Sequence, residues 1–252
     1  MKKHYISLGY FCSVASELER IGLRNESSPF DWLISDFEGV ISAIRNNFED
    51  FTKYENLLQH KQFPAYYLNK KYNVQFYHDF NKYTPLKEQL PSVEAKYKRR
   101  IKRFYESISE PTLFVRYISD EKLVDGVSKE LIWIEENYDS IIALIKSFNS
   151  DNEILFIANE GVETDKFHIY HVKKDAGKVI NNRPITTTPV LLDLFNSFEF
   201  PHRQNNIKRY NKKKKLKIIS KIKSKIASYF KKIFLSEYVH EIQYSIENKE
   251  KI

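Results

Sequence analysis

The chain is poor in the residue types that most metal, redox and phosphate-binding motifs need. It has 252 residues but only one cysteine and six glycines. One cysteine excludes an internal disulfide bond, and neither a CxxC nor an HExxH metal motif is present. There is no phosphate-cradling glycine loop and no GxSxG nucleophile elbow. His168 and His171 lie three residues apart on a predicted strand, so their side chains face opposite sides. The sequence therefore predicts no metal and no cofactor.

Long hydrophobic runs are also missing. No run approaches the roughly 18 apolar residues that a membrane span needs. The apolar stretch 5–11 is interrupted by Ser7 and Gly9 and places bulky Tyr10 and Phe11 before the cysteine, which argues against a signal peptide. A single cysteine fits a reducing compartment. We therefore expect a cytoplasmic protein.

Acidic residues are missing from one long segment. Residues 203–236 contain 13 Lys or Arg and no Asp or Glu, whereas the whole chain carries +8, so residues 1–202 carry a net charge of −3. The basicity thus belongs to a tail and gives no argument for a nucleic-acid-binding core. The sequence predicts two parts, an α/β domain over 1–202 and a basic helical appendage over 203–252.

Hydrophobic periodicity predicts an α/β fold with a mixed, partly parallel sheet flanked by helices and a C-terminal basic amphipathic helix. Strands are predicted over 5–8, 72–80, 113–116, 152–158, 167–172 and 178–180, and helices over 13–21, 37–48, 92–109, 127–148 and 189–198. The strand, helix, strand order over 113–158 indicates a βαβ unit, which requires parallel strands and a right-handed crossover.

The cysteine occupies a position with two interpretations. Cys12 follows a short strand and Gly9, where a helix is predicted to begin. Unpaired N–H groups and the helix dipole favour a thiolate at such a position, and the thiolate is the nucleophilic form. A lone cysteine is equally a common buried space-filling residue. The sequence leaves both readings open.

The segment 72–80 alternates between two faces and carries a histidine. His78 shares the more apolar face with Val74 and Phe76, and the neighbouring Asp79 points the other way if the strand is regular. Asp79 can then orient His78 only if the strand ends or bulges there.

A polar and aromatic loop follows the first helix and contains Ser28, Asp31 and Trp32. Beside the cysteine it could shape a substrate cleft, and Arg116 at the end of a strand could bind a carboxylate or phosphate. In the alternative, Trp32 and Phe30 fill the core while Asp31 pairs with Arg24 or Arg116.

Several of these residues also form a recognisable pattern. It runs Ser7-Leu8-Gly9-Tyr10-x-Cys12-x-x-Ala15-x-x-Leu18-x-x-x-Gly22-Leu23-Arg24, then Ser28-Pro29-Phe30-Asp31-Trp32, His78-Asp79-Phe80 and Leu113-Phe114-Val115-Arg116. This pattern, over about residues 4–160, resembles a bacterial family of unknown function described as putative papain-like cysteine peptidases. The resemblance implies Cys12 as nucleophile and His78 as its base. No motif marks a third member, for which Asp79, Asp120 and Asn159 are candidates.

Two functions follow from these observations. The first is a cysteine-dependent acyl hydrolase or acyltransferase acting on a peptide or another acyl substrate, with Cys12, His78 and Asp79 catalytic and Ser28, Asp31, Trp32 and Arg116 binding the substrate. The second is a ligand-binding or transferase-associated protein of cell-surface glycan assembly, in which Cys12 is structural. A close approach of Cys12 to His78 would favour the enzyme.

The tail gives a separate expectation. As a helix, residues 216–235 would carry an apolar stripe along one side and lysines on the other. This pattern is typical of helices that lie on anionic membranes. Such contact would place the protein peripherally at the inner membrane face. The alternative is a stripe packed on the body, and nucleic acid is not the expected partner.

Overall fold

The computed structural model describes residues 2–173 and 181–249, with side chains of the last helix described as far as Tyr229. The chain divides into two compact units, residues 1–206 and 207–252. The predicted strand at 178–180 lies outside the described residues.

The first unit contains ten strands and five complete helices among its described residues. The strands are β1 (His4–Ser7), β2 (Leu33–Ser35), β3 (Leu57–Gln59), β4 (Tyr67–Asn69), β5 (Val74–Phe76), β6 (Thr112–Tyr117), β7 (Leu123–Val124), β8 (Val127–Ser128), β9 (Glu153–Asn159) and β10 (Ile169–Val172). The helices are α1 (Cys12–Arg20), α2 (Phe37–Arg45), α3 (Leu86–Ile108), α4 (Lys129–Phe148) and α5 (Pro189–Ser197), with a short 3₁₀ turn at Tyr54–Asn56. A sixth helix, α6 (Arg203–Lys249), begins in the first unit and makes up the described part of the second.

The strands form one parallel and one antiparallel four-stranded sheet. The parallel sheet has the order β1-β6-β9-β10, and the antiparallel sheet has the order β2-β5-β4-β3. Strand β6 precedes α4 in the chain and β9 follows it, and the two strands pair in parallel, which confirms the predicted βαβ unit. A mixed α/β fold with a partly parallel sheet is likewise confirmed.

Helices cover both faces of the parallel sheet. Val14 and Leu18 of α1 pack with Leu191 and Phe195 of α5 in one apolar cluster. The opposite cluster contains the apolar faces of α2, α3 and α4. Parallel strands require this double cover because both of their faces are buried.

Strand β5 and helix α3 differ most from their predicted lengths. Strand β5 spans only Val74–Phe76, because its partner β2 is itself three residues long and offers no further pairing. Helix α3 begins at Leu86, before the predicted start, and contains Pro91 in its second turn.

Helix α2 lies unusually close to the chain at Tyr72. A Cβ placed on Gly39 would overlap the Tyr72 carbonyl oxygen and would lie 2.8 Å from its carbonyl carbon. A backbone group cannot move aside as a flexible side chain can. Glycine at position 39 is therefore what allows α2 to approach this segment.

We expect Gly39→Ala to destabilise the fold by about 1–3 kcal/mol, the usual cost of overpacking. The direction of the change in unfolding free energy is informative. Alanine is the better helix former by about 1 kcal/mol, so it would stabilise a helix that nothing obstructs. Urea unfolding measures the difference, with the exposed Glu38→Ala in the same helix as control. Unchanged or increased stability of Gly39→Ala would contradict the close approach.

Candidate active site

Cys12 lies at the carboxyl edge of the parallel sheet. Strand β1 ends at Ser7, and α1 begins four residues after Leu8, whose N–H donates to the Val115 carbonyl over 2.9 Å. Phe11 precedes the helix in an extended conformation and, as the N-cap residue, makes no capping hydrogen bond through its side chain. The carboxyl edge of parallel strands is where ligands bind in open α/β sheets. The uncapped N–H groups of α1 thus lie beside the cysteine.

The thiol itself is partly buried. Burial raises the pKa of Cys12, and a hydrogen bond from its own backbone N–H opposes this only in part. The neutral thiol is therefore favoured at neutral pH. Reaction as a nucleophile would require a base to remove the proton.

His78 lies two residues beyond the end of β5 and is exposed. Its ring contacts those of Trp32 and Tyr77, with centroids 6.3 and 4.8 Å away. The Tyr77 ring in turn lies 6.1 Å from that of Phe11. The fold thus joins the sequence neighbours of Cys12 and His78, but within the described residues no hydrogen bond links the two side chains. The prediction that His78 lies on the more apolar face of a strand is wrong, because β5 ends at Phe76 and His78 lies beyond it.

Asp79 has the opposite environment from His78. Its side chain is only 3% exposed and accepts a hydrogen bond of 2.9 Å from the Tyr97 hydroxyl, and it forms an ion pair with Lys96. Burial and the neighbouring Asp79 carboxylate hold the pKa of Tyr97 well above its usual value. Asp79 is thus bound to α3, and its catalytic role stays a prediction.

Two other candidates for a third catalytic member lie on the same sheet edge as Cys12. Asn159 ends β9, and Asp120 follows β6. Tyr117 donates to Asn159 Oδ1 over 2.6 Å, and Asn159 Nδ2 donates to Asp120 Oδ2 over 3.0 Å. The parallel strands thus place the hydrogen-bonded Asp120 carboxylate and Asn159 amide at this edge. Sequence spacing offered no reason to prefer these two residues to Asp79 as the third catalytic member.

Asp31 pairs with Arg24, as one alternative from the sequence allowed. Both side chains are buried, and Arg24 Nη2 and Nε lie 2.6 and 2.9 Å from Asp31 Oδ2. The N–H of Ser28 donates to the same oxygen over 2.8 Å. Burial raises the pKa of Asp31 more than the Arg24 charge lowers it.

The aromatic residues of this loop divide between core and surface. Phe30 is fully buried in the larger apolar cluster. Trp32 is half-buried, with the Arg24 guanidinium 5.3 Å from its ring on one side and His78 near it. Substrate binding by Asp31 and Trp32 stays a prediction.

Arg116 is fully buried within β6. Its guanidinium makes hydrogen bonds to several residues that no sequence pattern predicted. Nε and Nη2 donate to the two Glu130 carboxylate oxygens over 2.9 and 2.7 Å. Nη1 donates to the Leu8 carbonyl over 2.8 Å and to Ser35 Oγ over 3.2 Å, and Nη2 also donates to the Ser35 carbonyl over 2.7 Å. All five donors are used. Binding of substrate by Arg116 stays a prediction that would require one of these bonds to break.

The turn that leads to Cys12 fits closely around this guanidinium. Gly9 has φ of +86°, and a Cβ there would lie 2.9 Å from Arg116 Nη1 and closer still to Ser35 Oγ. Only glycine combines this backbone conformation with so close an approach. The arginine and glycine together set the path of the chain into α1.

Ser28 lines a cavity of about 300 Å³ at the opposite edge of the sheet, near the start of β1. His4, Glu26 and Arg103 also line it. The Ser28 hydroxyl is buried and has no hydrogen-bond partner among the described residues. The structure therefore places Ser28 apart from the edge that carries Cys12.

No cluster of three metal-ligating side chains occurs in the described part of the chain. His171 bonds through Nε2 to the Val162 carbonyl over 2.9 Å.

These features define an α/β protein with a cysteine at a helix N-terminus on the carboxyl edge of a parallel sheet. Residues 3–161 match the model of a family described as "putative papain-like cysteine peptidase", and the chain belongs to this family. "Uncharacterized protein R408" of Acanthamoeba polyphaga mimivirus is 30% identical over 177 residues, covering 62% of this chain and 77% of the relative. No solved structure matches the chain. The family segment includes Cys12, His78 and Arg116 and ends before α5.

We expect Arg116→Met to destabilise the protein by about 3–5 kcal/mol, because it leaves the buried Glu130 charge unpaired. The double variant Arg116→Met/Glu130→Leu should recover part of this loss, since no unpaired charge remains although the Leu8 and Ser35 carbonyls still lack their donor. Urea unfolding measures both variants. Lys102→Met removes a partner from the exposed Lys102–Glu106 pair and should cost less than about 1 kcal/mol. A similar small cost for Arg116→Met would contradict the role given to the buried pair.

We also expect Cys12 in the ligand-free protein to react slowly with iodoacetamide at neutral pH. Burial favours the neutral thiol, so the rate should rise with pH through a midpoint above that of an unperturbed thiol. Since no hydrogen bond joins the two side chains, His78→Ala should leave the profile unchanged. A midpoint below the ordinary thiol value that disappears in His78→Ala would instead show a preformed pair in solution.

Proposed function

We propose that this protein is a cysteine-dependent acyl hydrolase or acyl transferase with Cys12 as its nucleophile. One observation carries the proposal: Cys12 begins the uncapped helix α1 at the carboxyl edge of the parallel sheet. Membership of a family described as cysteine peptidases supports the same chemistry.

The reaction assigns a role to each group. Neutral His78 takes the proton from the Cys12 thiol, and the thiolate attacks the acyl carbon. Backbone N–H groups at the start of α1 hold the resulting oxyanion, a role in which loss of one donor typically costs about 2.7–4 kcal/mol. The imidazolium then returns its proton to the leaving group, and a thioester remains on Cys12. Water or a second nucleophile resolves the thioester, which gives hydrolysis or transfer.

The proposal requires His78 to approach Cys12 when substrate binds. His78 is itself exposed on the segment between β5 and α3, and its ring contacts those of Trp32 and Tyr77. Such contacts contribute about 0.5–1.5 kcal/mol each, little enough for a bound acyl group to displace them. Asp120 and Asn159, at the edge where α1 begins, are better placed than the buried Asp79 to orient a base that has moved there.

One observation favours the alternative function. Burial raises the pKa of Cys12, as expected for a structural thiol. In that case the chain would be a ligand-binding or transferase-associated protein of cell-surface glycan assembly. Cys12→Ala would then leave ligand binding unchanged.

Incubation with p-nitrophenyl acetate, followed by mapping of the acetyl group by mass spectrometry, tests the enzyme. We expect acetylation of Cys12 in the wild type and its loss in Cys12→Ala. His78→Ala should acetylate Cys12 about 10²–10⁴-fold more slowly, the usual contribution of a general base. The exposed His168→Ala serves as the matched histidine control and should behave as wild type.

Two results would contradict this scheme. Acetylation confined to lysines would exclude Cys12 as nucleophile. Equal Cys12 acetylation in wild type and His78→Ala would keep the nucleophile but exclude His78 as its base.

A further inference from the structure

The helix α6 exposes apolar side chains in a regular pattern. Ile219, Ile222, Ile226 and Tyr229 recur at intervals of three and four residues, which places them along one side of a helix. Ile222, Ile226 and Tyr229 are 52, 50 and 65% exposed. A stripe of isoleucines exposed to this extent costs free energy in water.

The remaining surface of the same segment is strongly basic. Residues 203–236 hold 13 Lys or Arg and no acidic residue. Lys217, Lys221 and Lys225 lie away from the stripe when the helix is viewed along its axis, so apolar and basic surfaces run side by side. A surface of this kind matches a partner that offers negative charge next to hydrocarbon.

From this combination we propose that residues 216–229 of α6 bind the surface of an anionic lipid membrane. The stripe enters the boundary between headgroups and acyl chains, and the lysines contact the anionic headgroups. The 14 residues measure about 21 Å along the helix axis and lie parallel to the surface. Among the described residues no helix is both long and apolar enough to cross a bilayer, which is consistent with a helix lying in the interface.

The apolar stripe distinguishes a membrane from a nucleic acid. Phosphate backbones bind lysines alone and leave an isoleucine stripe in water. A lipid surface accommodates both sets of residues. The two partners therefore predict different effects of removing the isoleucines.

The test is co-sedimentation of the full chain with vesicles of phosphatidylcholine containing one quarter phosphatidylglycerol, compared with pure phosphatidylcholine. We expect binding to the anionic vesicles that weakens at high salt and is at least about thirtyfold weaker on neutral ones, since these remove the attraction for all of the lysines. Equal binding to both vesicle types, or none to either, would overturn the proposal.

Two pairs of variants identify the surface. Ile222→Ser/Ile226→Ser should weaken vesicle binding at least about tenfold by removing buried apolar area. Its control, Leu58→Ser/Val190→Ser, removes two similarly exposed apolar residues elsewhere and should bind as wild type. Lys221→Gln/Lys225→Gln should weaken binding about thirtyfold, from about fivefold per lysine. Its control, Lys98→Gln/Arg99→Gln, makes the same charge change on α3 and should have little effect.

A competing oligonucleotide completes the test. Binding of a DNA duplex that displaces the vesicles and is unaffected by Ile222→Ser/Ile226→Ser would assign the helix to nucleic acid and overturn the membrane proposal. Circular dichroism checks that each variant keeps its helix content, and all the substituted positions are exposed.

Discussion

The buried ion pair between Arg116 and Glu130 connects the parts of the structure that surround Cys12. The guanidinium binds carbonyls at the ends of two segments, Leu8 after β1 and Ser35 at the end of β2, and its carboxylate partner lies in the first turn of α4. A buried arginine is tolerated only when all of its donors are paired, and here they are. The pair thus joins the parallel sheet, the antiparallel sheet and a helix at one point. The chain passes this point at Gly9 before it enters α1, so the position of the cysteine depends on it.

Local patterns predicted the elements but not the contacts between them. The start of α1 at Cys12 and the βαβ unit over 112–159 follow from short-range signals, namely apolar spacing and the order of elements, and the structure confirms both. The partners of Arg116 could not be predicted, since Glu130 and Leu8 are distant in sequence and carry no shared motif. The segment 72–80 shows the limit most clearly. Its alternation continues to Phe80, but a strand extends only as far as its neighbour does, and β2 supplies three residues. His78 consequently lies beyond the strand and is exposed.

Burial has the same electrostatic effect at several positions. It raises the pKa of the Cys12 thiol and of the Asp31 and Glu130 carboxyls, in the last two cases against a neighbouring arginine. For the carboxyls this is consistent with structural roles in which an arginine partner holds the group in place. For Cys12 it means that the proposed reaction needs a base to take the proton from the thiol. The basic helix α6 would act independently, by placing the protein at a surface without changing its chemistry.

A crystal structure of the protein with a peptide aldehyde tests the central claim, that Cys12 attacks an acyl carbon beneath the N–H groups of α1. We expect a covalent bond between Cys12 Sγ and the aldehyde carbon. We also expect the aldehyde oxygen to lie about 2.7–3.1 Å from first-turn N–H groups and the His78 imidazole to have moved into hydrogen-bond contact with the adduct. An aldehyde that leaves Cys12 unmodified, or an adduct whose oxygen faces solvent while His78 remains against Trp32 and Tyr77, would contradict it.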